Sequence, residues 1–309
     1  MTANTHALLN DSMAQLQDGP GKAAAGLAAL SGELRRLKQS LSEREWDRTI
    51  GEGRRHPVRA ILHEDPLTER AYRQPRGYQG DAELLDMIFH RDWRGHYDRQ
   101  VSSRGRAIFG HTIDSKSSSA TRARRTIVAS LIDRECDRTD SPDILSVGCG
   151  HLRELSISHA LREGRIGRFV GLDQDPLNLD VVEREYARHG VQGIRGSIKL
   201  LLNGPLSEEK FDLIYSAGML DYLDDELSRR LIGRMFEMLN PGGRLLAANY
   251  LPDIDDIGYM ETFMGWRPTC RSSQQLHDLA AGIPEDETAR KCIFRNSNCN
   301  VGFFEIEHC

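Results

Sequence analysis

The chain of 309 residues has no apolar run approaching the roughly 20 residues that a membrane span requires. It has no basic surplus: 41 Lys and Arg stand against 46 Asp and Glu, a net charge of -5. That removes the electrostatic footprint on which nucleic-acid binding depends. The six cysteines, Cys136, Cys149, Cys270, Cys292, Cys299 and Cys309, form no C-x-x-C pair and no metal-ligand spacing. No Ser-His-Asp set stands out, no metal is expected, and no internal repeat is visible. The opening M-T-A-N-T-H-A-L-L-N-D lacks the basic start and apolar core of a signal peptide. A cytoplasmic protein with reduced thiols is the expectation.

What is present falls into two parts. Residues 1–140 read as helical. Leu27, Leu30, Leu34, Leu37 and Leu41 recur at spacings of three and four, one stripe of a helix facing a core or a partner. That stripe is compatible with a homodimer. Further helical runs cover Asp81–Phe89 and Thr121–Arg134, and S-K-S-S-S-A ahead of the latter reads as a loop or a helix entry. From Pro142 short apolar runs alternate with amphipathic ones. Strands are expected at Ile144–Val147, Arg168–Asp173, Val191–Arg195, Phe211–Ser216 and Arg244–Tyr250. Helices are expected over His151–Leu161, over Pro176–His189 behind an Asp175 cap, and along Leu223, Leu227, Leu231, Met235 and Leu239. K-C-I-F-R and V-G-F-F-E-I-E look like antiparallel strands finishing the sheet. The fold class is therefore α/β, a mostly parallel sheet with helices on both faces behind an α-helical N-terminal region.

The chemistry concentrates in L-S-V-G-C-G-H-L-R-E-L, residues 145–155, a strand running into a glycine turn. Such turns cradle nucleotide-type ligands. Asp173 closes the next strand, where nucleotide-binding folds place a carboxylate for ribose hydroxyls. The dinucleotide fingerprint wants a third glycine three residues beyond Gly150, and that position is Arg153. The ligand read from the turn is a nucleoside with a non-phosphate tail.

V-G-C-G, G-L-D-Q-D, F-D-L-I-Y-S and L-N-P-G-G-R-L, in this order over roughly residues 140–250, resemble the class I S-adenosylmethionine-dependent methyltransferases, which have a Rossmann-like sheet. The resemblance implies S-adenosylmethionine as cofactor. It implies that Gly148, Cys149 and Gly150 face the methionine end, that Asp173 holds the ribose, that Gln174 lies beside the adenosine, and that Ser197 sits near adenine. Tyr215 and Ser216 would face the transferred group. Leu152 departs from the pattern, since many members have a third glycine there. H-P-V-R-A-I-L-H-E-D-P-L-T-E-R-A-Y-R-Q-P-R-G-Y-Q-G-D-A-E-L-L-D, Y-S-A-G-M-L-D-Y-L and the A-N-Y...Y-M-E...W-R-P run resemble a bacterial subgroup, the biosynthesis proteins for 3-hydroxypalmitic acid methyl ester, an extracellular signal. The implied organisation is a helical lid or substrate cap over 1–140 and a cofactor-binding domain over 141–309.

Several residues are candidates for contact with the reacting groups. Tyr78, in R-G-Y-Q-G-D, reads either as part of a lid, packing on the sulfonium by a cation–π contact, or as part of a turn that caps the next helix. Asp221 and Tyr222 follow the fourth strand, on the side where ligands bind in parallel sheets. Arg267, near Glu261 and Trp266, could clamp a carboxylate or form an ordinary ion pair. His63, His96, His111 and His151 lack a visible catalytic partner. The leading expectation is methyl transfer to a small-molecule carboxylate or amine, with no nucleic-acid or membrane partner. A second is cyclisation of the cofactor, its amino nitrogen attacking Cγ to give azetidine-2-carboxylate and 5′-methylthioadenosine, walled by Tyr78, Tyr215 and Tyr222. A third is a non-catalytic cofactor- or partner-binding module.

Overall fold

Among the residues described by the computed structural model, 3–309, seven strands form one sheet. They are β1 (Ile144–Val147), β2 (Phe169–Asp173), β3 (Val191–Arg195), β4 (Phe211–Ser216), β5 (Leu239–Tyr250), β6 (Thr288–Arg295) and β7 (Val301–His308). Their order is β3-β2-β1-β4-β5-β7-β6. The first five are parallel, and β7 runs antiparallel between β5 and β6. The order reverses between β1 and β4. In such sheets the ligand crevice lies beyond the carboxyl ends of the strands at that reversal. This is the expected Rossmann-like sheet with an antiparallel finish.

The two strands that carry the glycine turn and its neighbour, β1 and β2, are covered on both faces. Every residue of β1 and β2 is buried. On one face Leu145, Val147, Val170, Leu172, Ile214, Leu245, Ala247, Phe304 and Ile306 pack on Leu231, Ile232, Met235 and Phe236 of helix Asp225–Glu237. The two-residue alternation puts Ser146, Gly171 and Tyr215 on the opposite face, side by side in register. Helix Pro176–Tyr186 returns the chain from β2 to β3. Asp175 caps it, accepting from Leu177 N at 3.0 Å, and Pro176 sits in its first turn, as expected.

The chain divides into two compact units. The first is the chain up to Thr121 together with Asp253–Arg267; the second is Arg122–Pro252 with Pro268–Cys309. Helix Lys116–Arg138 crosses the division, so the S-K-S-S-S-A stretch is a helix entry. The first unit is helical. Leu27, Leu30 and Leu34 on helix Pro20–Ser40 are buried, and Trp46 and Ile50 bury the face of helix Glu43–Arg55. Among the described residues, no helix is long and apolar enough to cross a membrane. Among the described residues, none of the six cysteines is in a disulfide.

The expected helix His151–Leu161 is absent. Gly150 and Leu152 both adopt left-handed backbone conformations, φ 54° and 50°, which cannot start a right-handed helix. The chain instead makes a 3₁₀ turn at Leu155–Ile157 and one short helix, His159–Arg162, capped by Ser158. β5 also starts earlier than expected, at Leu239, with a register break opposite Phe211 and Leu213 that absorbs Asn-Pro-Gly-Gly.

Gly171 is the residue that lets this turn fold onto the sheet. A Cβ there would stand 3.0 Å from Cys149 Sγ and 3.3 Å from Leu152 Cδ1. Gly171→Ala should therefore displace the turn and cost about 1–3 kcal/mol of stability, read by chemical denaturation. An unchanged midpoint would show that the turn does not rest on β2.

Candidate functional site

The turn after β1 is organised by the carboxylate that ends β2. Asp173 Oδ2 accepts from Gly150 N at 2.8 Å. Its Oδ1 accepts from Asp175 N at 2.9 Å and Asn178 Nδ2 at 3.2 Å. A carboxylate offers about four lone-pair positions. The chain fills three of them, which leaves capacity for one hydroxyl on an otherwise fixed acceptor. The turn's own donors point inward: Gly148 N and Cys149 N both bond Leu172 O, at 2.9 and 3.1 Å. A phosphate nest needs such N–H groups turned outward, with a helix N-terminus behind them. Here three turn N–H groups are spent within the protein, and no helix follows directly.

Gly148 adopts φ 70°, and a Cβ on it would stand 2.7 Å from Met219 Cε. Cys149 is buried, and its thiol is pushed well above its ordinary range, first by burial and then by Asp173 and Glu154. It stays protonated and is no nucleophile at neutral pH. Leu152, fully buried, holds a backbone conformation that costs a non-glycine residue about 1–2 kcal/mol. Arg153 pairs with Glu185 on the helix after β2, so its charge is already matched within the chain.

Behind the turn lies a pair that the sequence did not single out. Tyr215 is fully buried in β4 and donates its hydroxyl to Glu154 Oε1 at 2.5 Å. Its ring meets Phe169 edge to face, with centroids 6.4 Å apart. Burial pushes both the Glu154 carboxyl and the Tyr215 phenol above their ordinary ranges. Tyr215 was expected to face the transferred group; its hydroxyl instead holds the segment after the turn. Ser216 is likewise buried and donates to Val147 O at 3.1 Å, fastening β4 to the end of β1. Gln174 and Ser197 are exposed at the ends of β2 and β3.

Residues 144–243 match the family model of a methyltransferase domain. Among solved structures, a possible exported protein from Bordetella parapertussis is similar over 94% of this chain and 97% of its own, at 18% identity and a TM-score of 0.62. The N-methyltransferase NodS from Bradyrhizobium japonicum, in complex with S-adenosyl-L-homocysteine, is similar over 63% of this chain and 89% of its own, at 18% identity and a TM-score of 0.43. No match to a curated protein was found. Residues 144–243 are a methyltransferase domain. Its cofactor is S-adenosylmethionine, as the motif resemblance implied.

In this methyltransferase domain Asp221 lies at the carboxyl ends of β4 and β5, but within a buried cage. Its Oδ1 accepts from Tyr250 N at 2.7 Å and Asn249 Nδ2 at 3.0 Å. Its Oδ2 accepts from Arg124 Nη1 at 3.2 Å, and that guanidinium lies 5.0 Å over the Tyr250 ring. Arg271, 1% exposed, completes the cage. It donates to Leu220 O, Asn249 Oδ1, Leu223 O and Asp225 Oδ1, all at 2.6–2.8 Å. The 3₁₀ turn Met219–Tyr222 is thereby held from below, and Tyr222 stands 44% exposed on its outer side. Neither arginine carried a sequence signal, since an isolated arginine pattern is the same for a solvated and a buried one.

In the helical unit, Tyr78 lies half-buried in a turn flanked by Gly77 and Gly80, both left-handed. Asp81, at the end of that turn, caps helix Ala82–His90 through Leu84 N and pairs with Arg70 at 2.9 Å. Arg267 pairs with Asp47 at 2.9 Å, the ordinary ion-pair reading. Glu261 is buried and accepts from Lys38 at 2.7 Å and from Trp46 Nε1 at 2.6 Å. His63 bonds Phe263 O, and burial lowers it and His111 below the usual imidazole range. His151 is buried beside the turn.

Two outcomes check this geometry. Arg271→Lys keeps the charge but cannot reach four acceptors, and should cost about 3–5 kcal/mol of stability; a loss below 1 kcal/mol would remove the cage from the account. Glu154 has a folded value above its unfolded one. Its contribution to stability is therefore full below the ordinary carboxylate value of 4.5 and is lost as pH rises through the folded value. The stability difference between wild type and Glu154→Gln, followed from acid to neutral pH, should shrink as pH rises. A difference independent of pH would contradict a raised carboxyl.

Proposed function

We propose that the protein transfers the methyl group of S-adenosylmethionine to a small molecule, with a carboxylate as the leading acceptor class and an amine as the alternative. The observation that carries the cofactor half is the Asp173 carboxylate: three bonds fix it to the turn and the following helix, and one lone-pair position remains. That suits one ribose hydroxyl. The inward N–H groups of Gly148, Cys149 and Gly150 suit an uncharged or zwitterionic tail rather than a diphosphate. The acceptor class rests on the resemblance to the methyl-ester biosynthesis subgroup.

When bound, S-adenosylmethionine supplies a sulfonium whose methyl carbon is electrophilic and whose thioether leaves. The chain's own task is positioning and exclusion of water. In this reading Gly148–Gly150 carry the tail, Asp173 and Gln174 the ribose side, and Ser197 the adenine side. The cage of Arg124, Asp221 and Arg271 keeps the 3₁₀ turn Met219–Tyr222 rigid, so Met219 and Tyr222 present a fixed wall. A carboxylate acceptor is already ionised at neutral pH and needs no base. That agrees with a site whose Asp221 is consumed by structure.

Incubating the purified protein with S-adenosylmethionine, with and without a panel of carboxylic acids and amines, tests the reading. S-adenosylhomocysteine should form only with an acceptor present. Release of 5′-methylthioadenosine from the cofactor alone would replace methyl transfer by cyclisation, and binding without turnover across the panel would favour a binding module. Asp173→Ala should weaken cofactor binding by about 1–3 kcal/mol in calorimetry; an unchanged dissociation constant would refute the ribose assignment.

A further inference from the structure

Sequence spacing offered no metal set, yet the helical unit assembles one. Asp86 and His90 lie one turn apart on helix Ala82–His90, so their side chains share a face. The helix ends at Arg91 in a left-handed conformation, and the chain doubles back to bring His96 against the same face. One ligand atom from each of Asp86, His90 and His96 lies within 4.8 Å of the others. The imidazole centroids of His90 and His96 are 5.7 Å apart.

We propose that Asp86, His90 and His96 bind one divalent transition-metal ion of the zinc class. Three features of the surroundings support this beyond proximity. First, His96 is oriented from behind. Its Nδ1 lies 2.7 Å from Glu83 Oε2, so the ring donates Nδ1–H to that carboxylate and is held in the tautomer and orientation a ligating imidazole needs. A carboxylate behind a ligating histidine is the usual second partner in such sites. Second, the backbone of His96 is fixed. Its N–H bonds Trp93 O at 3.0 Å, and its carbonyl accepts from Arg70 Nη1 at 3.3 Å, an arginine itself held by Asp81. Third, the set is graded in exposure. Asp86 is buried at 1% exposure, His96 is half-buried and His90 is exposed, which gives an ion a route in and leaves an outer position for water.

The donor set selects the ion. Two imidazoles with one carboxylate suit zinc and its neighbours. Magnesium and calcium prefer an all-oxygen shell. An ion about 2.0–2.1 Å from each donor would need the three atoms drawn somewhat closer. His90, exposed at the helix end, is the side chain placed to make that adjustment. The bound ion would pin residues 91–96 to the helix.

The test uses the full untagged chain, stripped with a chelator and titrated with Zn²⁺ alone. One equivalent per chain should bind, reversibly to chelator, and raise the melting temperature. His90→Ala, the exposed ligand and the substitution least able to disturb folding, should lower affinity at least 10-fold. Glu83→Gln should lower it 10- to 100-fold through His96, as for other carboxylates that hold a ligating histidine from behind. With Co²⁺ as probe, the visible spectrum should show nitrogen and oxygen donors. No saturable binding, or affinity unchanged in His90→Ala, would overturn the proposal. So would a thiolate-to-cobalt charge-transfer band, which would place the ion on cysteines such as Cys299 or Cys309.

Discussion

The carboxylate of Asp173 is the point on which the methyltransferase domain is organised. It ends β2, and with one side chain it holds Gly150 of the turn after β1, the backbone of Asp175 and the Asn178 amide of the following helix. Two crossovers of the sheet are thus joined at one acceptor, 9% exposed. Because its partners are fixed, the remaining lone pair is preorganised, and a ligand hydroxyl would meet it without further ordering of the chain. Its bond from Gly150 N, together with those from Gly148 N and Cys149 N to Leu172 O, turns the donors inward and decides against a phosphate ligand.

The other rim of the crevice is built by opposite means. Where Asp173 works from the backbone of the turn, the ends of β4 and β5 depend on two buried guanidinium groups. Arg124 comes from the long helix before β1, and Arg271 from the chain just after the returning segment Asp253–Arg267. Between them they bind Asp221, Asn249 and the carbonyls of Leu220 and Leu223. Buried charge of this kind specifies a geometry more than it adds stability. Its effect is to make Met219–Tyr222 a rigid wall, one that touches Gly148 through the Met219 methyl.

Much of this was legible in the sequence. The strand runs of β1, β2 and β4, the Asp175-Pro176 helix start and the antiparallel finish follow from apolar patterning and cap chemistry, and the structure has them. That Asp173 ends β2 was legible from the apolar run before it. What escaped has local physical causes. The helix expected after the turn is absent because Gly150 and Leu152 both take the left-handed conformation, which a leucine in the sequence does not announce. Tyr215 and Asp221 were read by position along the chain, which cannot tell a side chain directed at a ligand from one consumed by Glu154 or Arg124. The cluster of Asp86, His90 and His96 arises only because Arg91 reverses the chain, and no spacing rule anticipates that.

A crystal structure of the protein with S-adenosylhomocysteine is the most direct test of the central claim. The account predicts the nucleoside beyond the carboxyl ends of β1 and β2, a ribose hydroxyl on Asp173, and the amino-acid tail over Gly148–Gly150 with no rearrangement of the turn. Density for the ligand elsewhere, or a turn that must open and surrender the Gly150–Asp173 bond to admit it, would contradict it.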